Sequence, residues 1–343
     1  MNEMMGIDVG SNSIKVVVIG EEKKGLFLQS IGEVISPRVD WLTEDSKGKT
    51  IAKMAEAIKS ILSDLKIKNK KVVTCLPEDK VVSRLIKLPP LKESEIMDAL
   101  KFEAETFVPY PLSQVSIDYE VVDEDEAGKL TLFAIAAKNK IIKTYIKLFK
   151  SVGLELEALE SSAVALRRSV INSVKTGSNV MVLDMGEGYS DIMALNKKKI
   201  VFTRSLSVGG DSLTRAISLN LGLDMASAEE YKKAYGLREE ELEGKIRNAL
   251  MPIFTSLAEE LRKSMSLFTE ETGVKIELLV LSGGGANLPG LAEELTKLLG
   301  LEVQILQPFL RMDSSKSKMT IDLNSEGCRY SLAAGLALRG LQK

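Results

Sequence analysis

One supersecondary unit occurs twice in this chain. IDVGSNSIKVVVI, from Ile7, aligns without gaps on LDMGEGYSDIMAL, from Leu183, pairing Asp8 with Asp184 and Gly10 with Gly186. Each copy reads as a strand, a tight glycine-containing turn and a second strand. A unit used twice implies two pseudo-symmetric lobes with a cleft between them. The residue types suit a phosphate. Glycine at a turn lets backbone N–H groups approach an anion without a side chain in the way. Ser11 and Ser13 in the first turn and Ser190 in the second add hydroxyl donors, and Lys15 adds a compact positive charge. Asp8 and Asp184 stand where their strands enter the turns. Two carboxylates facing each other across a cleft suit magnesium, which keeps several waters and takes few direct ligands. Either hairpin alone is an ordinary turn signal. The pair in register carries the reading.

A third glycine cluster supports it. LVLSGGGANLPGL places Gly283, Gly284 and Gly285 between an apolar strand and a helix, an arrangement that brings backbone against a flat or anionic ligand. Glu229 and Lys232 are one helical turn apart and share a face. Around these motifs the chain divides near residue 177. The first lobe has its core at 1–78 and 153–177. Residues 79–152, a β-α-β-β-α block, form a small inserted α+β subdomain. The stretch 175–179, KTGSN, reads as a linker, and 178–343 forms the second lobe. Helices fill about 211–273. Leu242, Ile246, Leu250, Ile253, Leu257, Leu261, Met265 and Phe268 predict one long helix, kinked at Pro252. A C-terminal helix over 329–341 is expected to pack back on the first lobe.

Composition removes several classes. The chain contains no histidine, which excludes a Ser-His or Cys-His nucleophile pair and disfavours zinc. Two cysteines, Cys75 and Cys328, make no disulfide framework and fit a reducing cytoplasm. A net charge of −2 gives no broad electrostatic reason to bind nucleic acid. The basic stretches Lys66–Lys71 and Lys197–Lys199 read as solvated strand ends. No apolar run approaches the ~18 residues of a membrane span, and the N-terminus lacks the regions of a signal peptide. Membrane association is therefore expected through a partner, without direct insertion.

The two hairpins and the Gly283–Gly285 turn, in that order, resemble the phosphate and adenosine motifs of the actin, Hsp70 and sugar-kinase ATPases. The block between Cys75 and Leu154 looks like the extra subdomain of the FtsA-type branch. Within that branch LPPLKESEIMDALKFEAETFVPYPL, GGDSLTRAISLNLGLDMASAEEYKKAYG and the terminal GLALRG resemble the PilM family of type IV pilus assembly proteins over nearly the whole chain. The resemblance implies an α/β, actin-like (ribonuclease H-like) two-lobed fold that binds ATP and Mg2+. Asp8 and Asp184 would hold the magnesium water shell. Gly10, Ser11, Asn12, Ser13 and Lys15 would contact the phosphates, with Gly186, Gly188, Ser190, Gly209 and Gly210 opposite. Glu229 and Lys232 would reach ribose and base, and Gly283, Gly284, Gly285 and Ala286 would pack on the adenosine. Glu160 in ESSAVAL stands where filament-forming relatives carry a water-positioning glutamate. The usual proline–alanine context is absent, so slow or no turnover is expected. The resemblance also implies a PilN-like inner-membrane protein as partner. Its N-terminal cytoplasmic peptide would dock between the first lobe and the inserted subdomain, alongside other pilus assembly proteins. Filament contacts carry no local signature, so self-association stays open. An FtsA-like division protein and a sugar kinase of the same fold are the alternatives. The first normally ends in an amphipathic membrane helix and the second carries sugar-binding insertions, and neither is found before Lys343.

Overall fold

The computed structural model describes residues 2–42, 48–174, 179–315, 317 and 321–341, so most of the KTGSN stretch, at 175–178, lies outside the described residues. The chain opens with β1 (Asn2–Val9), β2 (Ser13–Glu22) and β3 (Gly25–Ile35), then α1 (Lys49–Asp64) and β4 (Lys71–Leu76). An excursion follows through β5 (Val81–Leu88), α2 (Glu93–Ala104), β6 (Val115–Glu124) and β7 (Leu130–Lys138). The chain returns through α3 (Asn139–Val152), β8 (Glu155–Ser161) and α4 (Ser162–Ser173). The second half runs β9 (Val180–Met185), β10 (Ser190–Asn196), β11 (Lys199–Leu206), α5 (Gly210–Leu221), α6 (Met225–Tyr235) and α7 (Lys245–Thr272). It ends with β12 (Leu278–Ser282), α8 (Leu291–Leu299), β13 (Glu302–Ile305), α9 (Leu323–Glu326) and α10 (Ser331–Ala337).

The repeat extends far beyond the hairpins. One sheet has the order β3-β2-β1-β4-β8 and the other β11-β10-β9-β12-β13. In each, the first three strands form an antiparallel meander and the last two join it in parallel. Parallel joins need crossovers, which the helices supply. Strands β5, β7 and β6 form a third, antiparallel sheet inserted between β4 and α3. This is the two-lobed actin-like architecture.

Five layers result. Helices α1 and α3 cover the outer face of the first sheet. Helix α10 and α4 cover its inner face. The far side of α4 packs Ala163, Leu166 and Val170 on the second sheet, whose other face is covered by α5, α7 and α8. Strands covered on both faces read as continuous apolar runs, as VMVLDM and LLVLS do here. The middle layer is tight. A Cβ on Gly6 would lie 2.2 Å from the Ala333 carbonyl oxygen, and one on Gly335 would lie 1.9 Å from that of Ala165. Glycine at both positions lets α10 press directly against β1 and α4.

The long helix starts later than its apolar spacing predicts. Leu242 and Glu243 have φ values of 48° and 55°, in a short turn closed by Gly244. Left-handed backbone cannot continue a right-handed helix, so Leu242 is half-exposed and outside the stripe. From Lys245, α7 continues through Pro252 to Thr272.

Candidate functional site

Strand alternation decides where the aspartates point. Val182, Met193 and Leu195 pack towards α4. Asp184 and Asp191 share their parity and are directly opposed in the β9–β10 register, so both face the space between the lobes. In β1, Gly6 faces α10, so Asp8 faces the same space, with Lys15 opposite it on β2. Both motif aspartates keep some surface open but lie deep between the lobes. Burial raises the Asp8 carboxyl, against the pull of Lys15. Burial pushes Asp184 up to about 6; Ser282 and Lys15 oppose this and the Asp8 charge adds to it. Asp8 and Lys15 therefore act on Asp184 across the lobe boundary, and the two hairpins face each other.

The repeat is asymmetric at one position. Where the first hairpin sets Lys15 against Asp8, the second sets Asp191 against Asp184. Burial pushes Asp191 up to about 8; Ser205 opposes, while the charges of Asp184, Glu78 and Asp79 add. Its Oδ1 has no hydrogen-bond partner. Adjacent buried carboxyls with an orphaned acceptor suit a bound cation. Among the described residues no cluster of three or more ligating side chains converges. That donor set fits a hydrated magnesium better than a metal held in a protein cage.

The remaining second-lobe motifs assemble around this hairpin. Gly210 N–H donates to the Gly186 carbonyl at 3.0 Å, which seats the start of α5 on the turn. The Lys232 ammonium donates to the Gly210 carbonyl at 3.0 Å, the Thr214 hydroxyl at 2.8 Å and Glu229 at 2.6 Å, fastening α6 to the same point. Burial would raise Glu229, but bonds from Lys232, Thr214 and Lys233 prevail and hold it at about 2. The third glycine turn closes the other side. A Cβ on Gly283 would lie 2.5 Å from the Met185 carbonyl oxygen and one on Gly285 would lie 2.5 Å from the Met185 Cβ. On Gly209 it would lie 2.4 Å from the Glu187 carbonyl oxygen. A Cβ on Gly188 or Gly284, by contrast, would meet nothing within 4 Å. The backbone thus forms a cradle whose walls exclude side chains and whose mouth is open. Ala286 is buried behind it. On the first lobe, Ser11 and Asn12 are exposed at the turn tip, and Gly10 lies against Ser13.

Two expected roles meet different surroundings. The Ser190 hydroxyl is fully buried and donates to the Val208 carbonyl at 2.6 Å, so it holds the turn rather than presenting a free donor. Glu160 accepts from Arg168 through both oxygens and from Arg339 at 2.7 Å, with its side chain 8% exposed. It clamps α4 and the C-terminal segment to β8.

Sequence reasoning missed Asp191 and Glu78. Asp191 had a signal, since it replaces Lys15 in the repeat. Glu78 had none. It is buried below β4 and accepts from Ser162 on α4, Ser83 on β5 and Thr203 on β11, joining the first lobe, the insertion and the second lobe. Ser83 and Thr203 also bond each other at 2.6 Å. Other links cross between lobes: Arg38 meets Glu187 of the second turn at 3.7 Å, and Arg329 meets Glu33 at 2.5 Å.

Residues 6–341 match the family described as Type IV pilus assembly protein PilM. The chain belongs to the PilM family. A PilM–PilN type IV pilus biogenesis complex is similar in structure, with a TM-score of 0.86, 25% identity and 99% of both chains covered. The ethanolamine utilization protein EutJ of Carboxydothermus hydrogenoformans shares the fold at a TM-score of 0.58 and 19% identity, covering 99% of this chain and 90% of that one. In sequence, the cell division protein FtsA of Streptococcus pneumoniae serotype 2 (strain D39) is 24% identical over 336 residues, 89% of this chain and 66% of that protein. Among the described residues no helix is long and apolar enough to cross a membrane.

Proposed function

We propose that this chain is an ATP-binding assembly component of a type IV pilus, with nucleotide bridging its two lobes. The observation that carries this is the face-to-face placement of Asp8 and Asp184 above glycine turns whose walls leave no room for side chains. Asp8 and Asp184 would hold the water shell of magnesium, which neutralises phosphate charge when bound. Asp191, beside Asp184, would add a second carboxylate at the same point once a nearby cation lowers its raised pKa. Lys15 and the backbone from Gly10 to Ser13 would hold the phosphates from one side, and Gly186, Gly188, Gly209 and Gly210 from the other. Gly283 to Ala286 would pack on adenosine, and Glu229 and Lys232 would reach ribose and base. Glu160, with both oxygens bound by arginine, acts as a brace, so nucleotide serves to bias lobe closure more than to be turned over. A PilN-like membrane protein is the partner, bound through its N-terminal peptide where the insertion meets the first lobe. It sets the protein on the inner face of the inner membrane.

The test pairs two binding measurements on the full chain. Fluorescent ATP should bind in the presence of magnesium, and a PilN-like N-terminal peptide should bind with an affinity that shifts with nucleotide. Peptide capture without any nucleotide affinity would leave a pilus scaffold and remove the ATP reading.

A further inference from the structure

The outer face of the first lobe carries a charge pattern that the nucleotide site does not use. Along α3, Lys140, Lys143, Lys147 and Lys150 are all exposed. Tyr145, Leu148 and Phe149 are the buried side. At 100° per residue the four lysines lie diametrically opposite those three, in a ridge about 15 Å long. No Asp, Glu or Arg occurs from Asn139 to Leu154. The loop into β4 continues the pattern with Lys66, Lys68 and Lys70, all exposed. The Lys70 carbonyl accepts from Glu155 N–H at 2.8 Å, which places this loop at the C-terminal end of α3. Lys143, Lys147 and Lys150 have no carboxylate partner among the described residues. Neither do Lys66, Lys68 and Lys70. The carboxylates flanking these segments are Asp64, Glu155 and Glu157, and Glu157 is tied to Lys71 at 3.1 Å. On a chain of net charge −2 this is a strongly one-sided field.

We propose that this lysine face lies directly on an anionic phospholipid surface. Three features select a bilayer over other anionic partners. The face is built from lysine without arginine, and lysine is depleted from protein interfaces where arginine is enriched. Ile146, 48% exposed, stands beside the ridge and adds an apolar side chain suited to the boundary between headgroups and acyl chains. The face holds no exposed aromatic side chain on which a base would stack. Its lysine loop precedes β4, at the opposite end of the parallel strands from Asp8, so contact there leaves the cleft open. The contact is a surface one and works beside a membrane-anchored partner, not in its place.

The test uses the full chain and vesicles. Phosphatidylcholine vesicles containing phosphatidylglycerol should co-sediment the protein, and pure phosphatidylcholine vesicles should not. Each lysine near such a surface strengthens binding roughly five-fold, so Lys143→Gln, Lys147→Gln and Lys150→Gln together should weaken it about a hundredfold. Binding should vanish at about 1 M salt, where the screening length is ~3 Å. The control is Lys197→Gln, Lys198→Gln and Lys199→Gln, which removes equal charge from an exposed turn of the other lobe and should leave binding intact. Nucleotide affinity should be unchanged in both variants. An equal loss in the control would reduce the effect to net charge and overturn the proposal. So would a wild type that ignores anionic vesicles at low salt, or that binds an RNA oligonucleotide while ignoring them.

Discussion

Replacing Asp191 with asparagine tests the electrostatics of the cleft in isolation. In protein stripped of divalent cations, the folded chain holds the Asp191 proton up to about pH 8. The unfolded chain, with an ordinary value near 4, has already released it at pH 6. The folded state therefore binds more protons across this window, and its stability falls as pH rises. Each pH unit costs ~1.4 kcal/mol well below the folded pKa and half that at it, so the loss from pH 6 to pH 8 is about 2 kcal/mol. Asp184 contributes in the same sense at lower pH, below about 6. Asparagine cannot ionise, so Asp191→Asn should flatten the upper window and leave the lower one. Urea unfolding at pH 6, 7 and 8 reads this out through Trp41, the single tryptophan, which is buried at 9% exposure. Equal slopes in wild type and variant would show that Asp191 is ionised and satisfied in the folded chain, with no need of a cation beside it.

Other substitutions address other links in the account. Gly335→Ala should destabilise the fold by about 3 kcal/mol through overpacking, because its Cβ would lie 1.9 Å from the Ala165 carbonyl oxygen; thermal melting checks this, and an unchanged melt would mean α10 can move away. Glu160→Gln should cost about 2–4 kcal/mol by stranding the guanidinium groups of Arg168 and Arg339 while leaving ATP affinity intact. Normal stability with abolished turnover would restore the water-positioning role. Thr203→Val removes a donor to buried Glu78, with an expected loss of about 1–3 kcal/mol measured by denaturation.

What could be read from the sequence was local or repeated. Asp8 and Asp184 align because each sits in one contiguous hairpin, and a gap-free repeat survives as text. The Gly283–Gly285 turn is likewise contiguous. The fold class followed from these units together with the longer family segments. The lost features depend on chains meeting after folding. Glu78 finds Ser162 84 positions away and Thr203 125 positions away, and Glu160 finds Arg339 across 179. No window of sequence contains both ends. Leu242 failed for a different reason. Its spacing is helical, but a left-handed turn through Leu242 and Glu243 ends the pattern, and spacing is blind to φ. Ser190 shows a third limit. Its type fits a phosphate donor, yet in the folded chain its hydroxyl donates a hydrogen bond to the Val208 carbonyl.

The central claim is that nucleotide binds between the hairpins, and calorimetric titration of magnesium-ATP into the full chain tests it most directly. The account predicts one saturable site per chain. It also predicts that Lys15→Ala or Asp184→Ala each weakens that site at least about tenfold, or ~1.4 kcal/mol, without lowering the folded fraction. A folded wild type that takes up no nucleotide, or an affinity indifferent to both substitutions, would contradict it.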